Sequence, residues 1–126
     1  ILHLGQSDMH PDKARSIIDH KIEIGLSITN ENQIDDIPDC VKYIGVGPIY
    51  KTNSKNDASK PLGENGLKNI ILKTNIPVVA IGGIATSKVS KLFDLGVSGV
   101  AVISNILNNK DYLQNFLLLK NQIYKD

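Results

Sequence analysis

Five short runs rich in β-branched and small apolar residues recur along the chain: "ILHLG" at 1–5, "IEIGLSI" at 22–28, "YIGVGPI" at 43–49, "PVVAIGG" at 77–83 and "GVAVIS" at 99–104. Each has the length of a β-strand. The segments between them carry helix signals. "HPDKARSIID" puts Pro11 in a first turn with an acid beside it, and "TNENQIDDI" offers Thr29 or Asn30 as a cap. "LGENGLKNIILK" places Leu67, Ile70 and Ile71 on one face, and "TSKVSKLFDLG" has a Thr or Ser cap, apolar Val89, Leu92 and Phe93, and Gly96 as a stop. In "KDYLQNFLLLKNQIYK", Leu113, Phe116, Leu117, Leu119 or Lys120, and Ile123 recur at helical spacing.

Strict alternation of strand and helix, at roughly 20 to 30 residues per unit, marks a parallel sheet with crossover helices, so the chain is read as α/β. The near-continuous apolar character of "VVAIGG" and "GVAVIS" agrees with strands covered on both faces. Either an open doubly wound sheet or part of a (β/α)8 TIM barrel satisfies this pattern. A closed barrel needs eight units and typically about 250 residues. The chain opens directly inside a strand-like alternation, so the expectation is that residues 1–126 form the C-terminal five β/α units, strands four to eight, of a single barrel domain whose N-terminal units precede it.

Composition limits the function classes. The chain of 126 residues is 41% hydrophobic, enough for one packed core, and its 14 Lys plus Arg against 13 Asp plus Glu leave a net charge of +1. No global field favours nucleic acid or an anionic membrane, so anion recognition must be local. The single cysteine, Cys40, allows no internal disulfide and no C-x-x-C metal spacing. No apolar run reaches membrane-spanning length and no charged-then-apolar leader pattern is present, which fits a cytoplasmic enzyme or binding protein.

In both architectures the working residues lie on loops after the strands. After the first run, "GQSDMH" offers Asp8, either a cap or a ligand for a hard cation such as Mg2+. After the second, Ser27 stands at the strand tip, as a turn residue or a hydroxyl donor. The third leads into "YKTNSKNDASKPLG", where Thr52 and Ser54 are two apart and Lys55 adds a positive charge. Two hydroxyls and an ammonium suit phosphate oxygens, and the loop exceeds the two to six residues usual for such a connection; a solvated loop would share its composition. After the fourth run, "GGIATS" lets a backbone approach closely at Gly83, and after the fifth Ser104 and Asn105 stand at a strand-to-helix turn. No Rossmann, Walker, zinc or G-x-S-x-G signature occurs.

Taken in order and spacing, "LHLGQSD", "IGLS", "YIGVGPIYKTNSK", "PLG", "IPVVAIGGI" and "GVSGVAVIS" resemble the C-terminal part of thiamine-phosphate synthases, from residue 1 to about Leu107. The resemblance implies a barrel enzyme that joins hydroxymethylpyrimidine diphosphate to thiazole phosphate with Mg2+, releasing diphosphate. It implies Asp8 as a metal ligand, Ser27 and Lys55 on the pyrimidine diphosphate, and Thr52, Ser54, Gly83, Ile103 and Ser104 on the thiazole phosphate, with Lys55 and Ser27 acting in catalysis. It also implies a missing N-terminal half with a Q-x-R-x-K strand end and an Asn-Asp pair, small-molecule substrates only, and leaves a homo-oligomer open.

Three positions depart from the family pattern. Lys51 replaces a proline, Ser54 a threonine, and "SITN" replaces S-x-H-T. Two other readings follow from the same barrel: a thiazole tautomerase-like isomerase, and a non-catalytic phosphate-binding half-barrel. Asp8 and Lys55 favour the synthase, because an isomerase has no leaving diphosphate to neutralise, and the absent histidine also disfavours the isomerase.

Overall fold

The computed structural model describes residues 1–52, 60–107 and 110–124. Five strands form one sheet: β1 Leu2–Leu4, β2 Ile24–Ile28, β3 Val41–Val46, β4 Val78–Ile81 and β5 Gly99–Ala101. All neighbours are parallel, and the spatial order β1-β2-β3-β4-β5 follows the sequence. A doubly wound sheet reverses its order at a switch point. The described strands contain no such reversal, so each crossover advances the sheet in one direction, as in a barrel.

The two faces of the sheet differ sharply. Ile24, Leu26, Ile28, Ile44, Val46, Val78 and Ala80 point to one side and are buried with Ala14, Leu67, Ile70, Val89, Leu92 and Leu119 from the helices. Side chains such as Ile24, Ile44, Leu67 and Ile70, at 0% exposure, each contribute about 1.5–3 kcal/mol through burial. The other face carries His3, Gly25, Ser27, Tyr43, Gly45, Val79, Gly99 and Ala101 in cross-strand register. It is polar or small, and its non-glycine members are only half-buried or exposed. Coverage on both sides, expected from the continuous apolar runs, therefore holds for one face only among the described residues.

The helices are α1 Pro11–Arg15, α2 Gly63–Lys73, α3 Val89–Asp94, α4 Ser104–Leu107 and α5 Tyr112–Ile123. Pro11 opens α1, where its missing N–H costs nothing. Gly96, at φ +105°, follows α3 in a left-handed conformation that favours glycine. Three local expectations change. "TNENQIDDI" forms only a 3-10 turn, Glu31–Gln33, closed by a reciprocal Asn30–Gln33 capping box. Consecutive aspartates are weak helix formers and Pro38 follows closely, so the turn does not extend. The turn Thr86–Lys88 that leads into α3 is preceded by Ala85 and has no side-chain cap. In α5, Leu119 and Ile123 join the core, whereas Leu113 and Phe116 at its N-terminal end are 69% and 50% exposed.

Candidate functional site

The loops after the five strands rise from one edge of the sheet, and those sequence-predicted residues that are described collect there in two groups. The first lies above β1 and β2. Asp8 turns back on its own loop: the Gly5 N–H donates to Asp8 Oδ2 at 2.6 Å and the Asp8 N–H donates to the Gly5 carbonyl at 3.2 Å. It therefore caps a turn, while His10 occupies the N-cap of α1. The second carboxylate oxygen of Asp8 has no hydrogen bond among the described residues. Gln6, which carried no signal in the sequence, donates from Nε2 to the Ser27 carbonyl at 2.7 Å and ties this loop to the tip of β2. A cleft of about 220 Å³ beside it is lined by Gln6, Asp8, His10, Gln33 and Asp36.

Ser27 ends a polar chain that crosses three strands. Its Oγ lies 2.9 Å from His3 Nε2, and His3 Nδ1 lies 2.7 Å from the Tyr43 hydroxyl. His3, Gly25 and Tyr43 are register partners on β1, β2 and β3. The chain can form because Gly25 lacks a side chain: a Cβ there would meet the Tyr43 ring at 2.2 Å. An irregularity in the β2–β3 register between Ile24 and Gly25 is equally necessary. Val41 pairs with Ile24 on the core side, and one extra residue, Lys42, turns Tyr43 to the open face.

The second group lies above β3, β4 and β5. Past the end of β3 the chain continues beside β4, with the Ile49 N–H donating to the Ile81 carbonyl at 2.9 Å and the Tyr50 N–H to the Gly82 carbonyl at 3.0 Å. Gly82 and Gly83 take φ of +95° and +65°, and a Cβ at Gly83 would sit 2.6 Å from the Lys51 carbonyl oxygen. The close approach made possible by Gly83 is thus to the protein's own backbone, which holds Thr52 beside the loop after β4. Asn105 Nδ2 donates to Thr86 Oγ1 at 2.8 Å, joining the loops after β4 and β5. Ser104 opens α4 next to it, and Ile103, just past β5, is 59% exposed.

The loop that begins at Lys51 is anchored at both ends. The Leu62 N–H donates to the Pro48 carbonyl and the Gly63 N–H to the Ile49 carbonyl, each at 2.9 Å. Tyr50 donates from its hydroxyl to Glu64 Oε1 at 2.8 Å, and Glu64 is ion-paired with Lys91. Burial, then Glu64, pushes the Tyr50 phenol up to about 12, so it stays a neutral donor; Lys91, then Tyr50, holds Glu64 below the usual carboxylate range. Ser54 and Lys55 lie outside the described residues.

No group of three His, Cys, Asp or Glu side chains that could hold a metal occurs among the described residues. Asp8 alone nonetheless suits Mg2+, which is commonly held by one or two carboxylates with substrate phosphates and water completing the shell. No helix of the described residues is long and apolar enough to cross a membrane.

The family described as thiamine monophosphate synthase matches residues 1–106. The chain is similar to the thiamine-phosphate synthase of Lactococcus lactis subsp. cremoris strain MG1363, at 35% identity over 126 residues, covering 99% of this chain and 58% of that protein. It is similar to the synthase of Prochlorococcus marinus at 45% identity over 122 residues, covering 94% of this chain and 34% of that one. Among solved structures, the thiamine phosphate pyrophosphorylase from Pyrococcus furiosus superposes with a TM-score of 0.84 at 29% identity, over 96% of this chain and 57% of that one. A 3-hexulose-6-phosphate synthase shares the fold alone, with a TM-score of 0.69 at 14% identity over 97% of this chain and 61% of that one. The chain spans about a third to three fifths of the length of these relatives.

Proposed function

The chain belongs to the thiamine monophosphate synthase family, and from that premise we propose that the complete protein is a thiamine-phosphate synthase to which these residues contribute the C-terminal five units of a (β/α)8 barrel. One observation carries the reading: Asp8, Ser27, Thr52, Gly83, Ile103 and Ser104 all stand along a single edge of a sequentially ordered parallel sheet whose second face carries His3, Ser27 and Tyr43 among small residues. The sequential strand order and the greater length of the relatives support a barrel completed by further units.

In the proposed reaction the bond between the pyrimidine methylene carbon and the diphosphate oxygen breaks. The carbon is left as a stabilised cation, the thiazole nitrogen attacks it, and diphosphate departs with the electron pair. Each residue has a task carried over from the family resemblance. Ser27, at the tip of β2, orients the diphosphate, and Lys55 opposes the charge that gathers on it as the bond lengthens. Thr52, Gly83, Ile103 and Ser104, on the side of β3, β4 and β5, together with Ser54, hold the thiazole phosphate, turning a bimolecular encounter into an oriented one. Asp8 would hold Mg2+, which supplies further neutralisation of the leaving group. The partners are these small molecules, and the setting is the cytoplasm.

Replacing Thr52 by valine keeps the shape and removes the hydroxyl. Thr52→Val is expected to raise KM for the thiazole phosphate several-fold, as loss of one hydrogen bond to a charged group implies, with little change for the pyrimidine diphosphate. Equal thiazole KM values in variant and parent would contradict the assignment. Expression of the complete protein in a bacterial strain lacking its own synthase tests the function: growth without thiamine is expected, and failure to grow despite soluble expression would refute it.

A further inference from the structure

A continuous chain of contacts runs from Tyr43 through His3 to Ser27. We propose that His3 is a positioning residue for Ser27: the Tyr43 hydroxyl donates to His3 Nδ1, the ring proton resides on Nε2 and is donated to Ser27 Oγ, and the serine O–H is left to donate to an anionic oxygen of the substrate. This inference rests on the reading of Ser27 as a diphosphate-binding group. Its geometry is independent of that reading. The two distances, 2.7 and 2.9 Å, place both ring nitrogens in use at once, and a neutral imidazole carries one donor and one acceptor.

Three features of the backbone serve this arrangement. Gly25 leaves room for the Tyr43 ring, and the register shift in β3 sends Tyr43 to the open face. Gly45, the register partner of Ser27, leaves room for His3, since a Cβ there would lie 3.1 Å from His3 Cε1. The His3 and Tyr43 rings are tilted by 36° with centroids 5.4 Å apart, so the imidazole is braced along its face as well as at its nitrogens. Without the bridge, Ser27 is free to point its hydroxyl hydrogen at any nearby acceptor, and a donor that must first reorient binds an anion less well. With it, the oxygen lone pair is occupied by a donor and the hydrogen is directed outward. Tyr43 sets the tautomer, His3 transmits it, and Ser27 presents it.

A mutant cycle in the complete protein separates this role from simple support of the fold. Ser27→Ala, His3→Phe and the double variant are assayed with hydroxymethylpyrimidine diphosphate and thiazole phosphate. His3→Phe is expected to lower kcat/KM for the diphosphate substrate by about the same factor as Ser27→Ala, of the order of tenfold, with the thiazole KM unchanged. The double variant is expected to be no worse than Ser27→Ala alone. His3→Gln, whose amide N–H can reach the serine, is expected to restore part of the loss. Multiplicative losses in the double variant, or parental kinetics in His3→Phe, would overturn the inference and leave the reading of Ser27 standing. Parental kinetics in Ser27→Ala would overturn both. Tyr43→Phe, which removes one hydroxyl, covers the case in which His3→Phe does not fold: a smaller loss in the same parameter, absent in the Ser27→Ala background, supports the chain of contacts, and no loss refutes it.

Discussion

Lys55→Ala in the complete protein is expected to lower turnover by about two to three orders of magnitude, the usual consequence of removing a group that stabilises charge developing in the transition state. Its fold is expected to survive the change. The described residues on either side of Lys55 are tied to the fold: Ile49 and Tyr50 bond to the carbonyls of Ile81 and Gly82, while Leu62 and Gly63 bond back to those of Pro48 and Ile49. The Tyr50–Glu64–Lys91 linkage adds a side-chain tie between the entrance of the loop, the start of α2 and α3. None of these contacts uses the lysine. The expected pattern is a large fall in kcat with an unchanged melting transition; near-normal turnover with both substrates would remove Lys55 from the mechanism.

Gly47→Ala is expected to act oppositely, on stability first. A Cβ at Gly47 would lie 2.1 Å from the Ile81 carbonyl oxygen, a backbone atom that cannot rotate out of the way. That same carbonyl accepts the Ile49 N–H, and the Gly47 N–H itself donates to the Ile28 carbonyl. Overpacking costs about 1–3 kcal/mol and loss of the Ile49–Ile81 backbone hydrogen bond about 1 kcal/mol more. At roughly 2–4 °C per kcal/mol for a protein of 150–250 residues, the melting temperature of the complete protein should fall by about 10 °C. Because Ile49 and Tyr50 lead directly to Thr52, the surviving folded fraction should also bind thiazole phosphate more weakly. An unchanged melting temperature would show that β3 and β4 are not packed as described.

All five strands are legible in the sequence because each is a compact β-branched run, and the helices around Leu67 and Val89 because their apolar residues recur at helical spacing. Gly96 is legible as a stop because a helix end in a left-handed conformation favours glycine. The turn at Glu31–Gln33 is misread as a longer helix, since a capping residue marks where a helix can begin and says nothing of how far it continues. The exposed end of α5 is invisible for a related reason: spacing shows that Leu113, Phe116 and Leu117 share a face, while what covers a face depends on tertiary neighbours.

At the site, the residues near strand ends are legible by position, and their partners are not. His3 lies in the motif "LHLGQSD" yet reads as an ordinary alternating strand residue, because its link to Ser27 and Tyr43 depends on cross-strand register and on one extra residue in β3. Gln6 is silent for the same reason: its partner is a main-chain carbonyl 21 positions away. Gly83 is legible as a close approach, but the approaching atom is the Lys51 carbonyl of the same chain. Glycine pairs in a sequence mark where something comes near; the fold alone says what.

The central claim is that this sheet edge belongs to an enzyme joining two phosphorylated rings. Its most direct measurement is product formation by the purified complete protein, mixed with hydroxymethylpyrimidine diphosphate, thiazole phosphate and Mg2+. Thiamine phosphate and diphosphate are expected in equal amounts, with neither formed when the thiazole phosphate is left out. Absence of thiamine phosphate from a folded, complete protein that binds both substrates would contradict it.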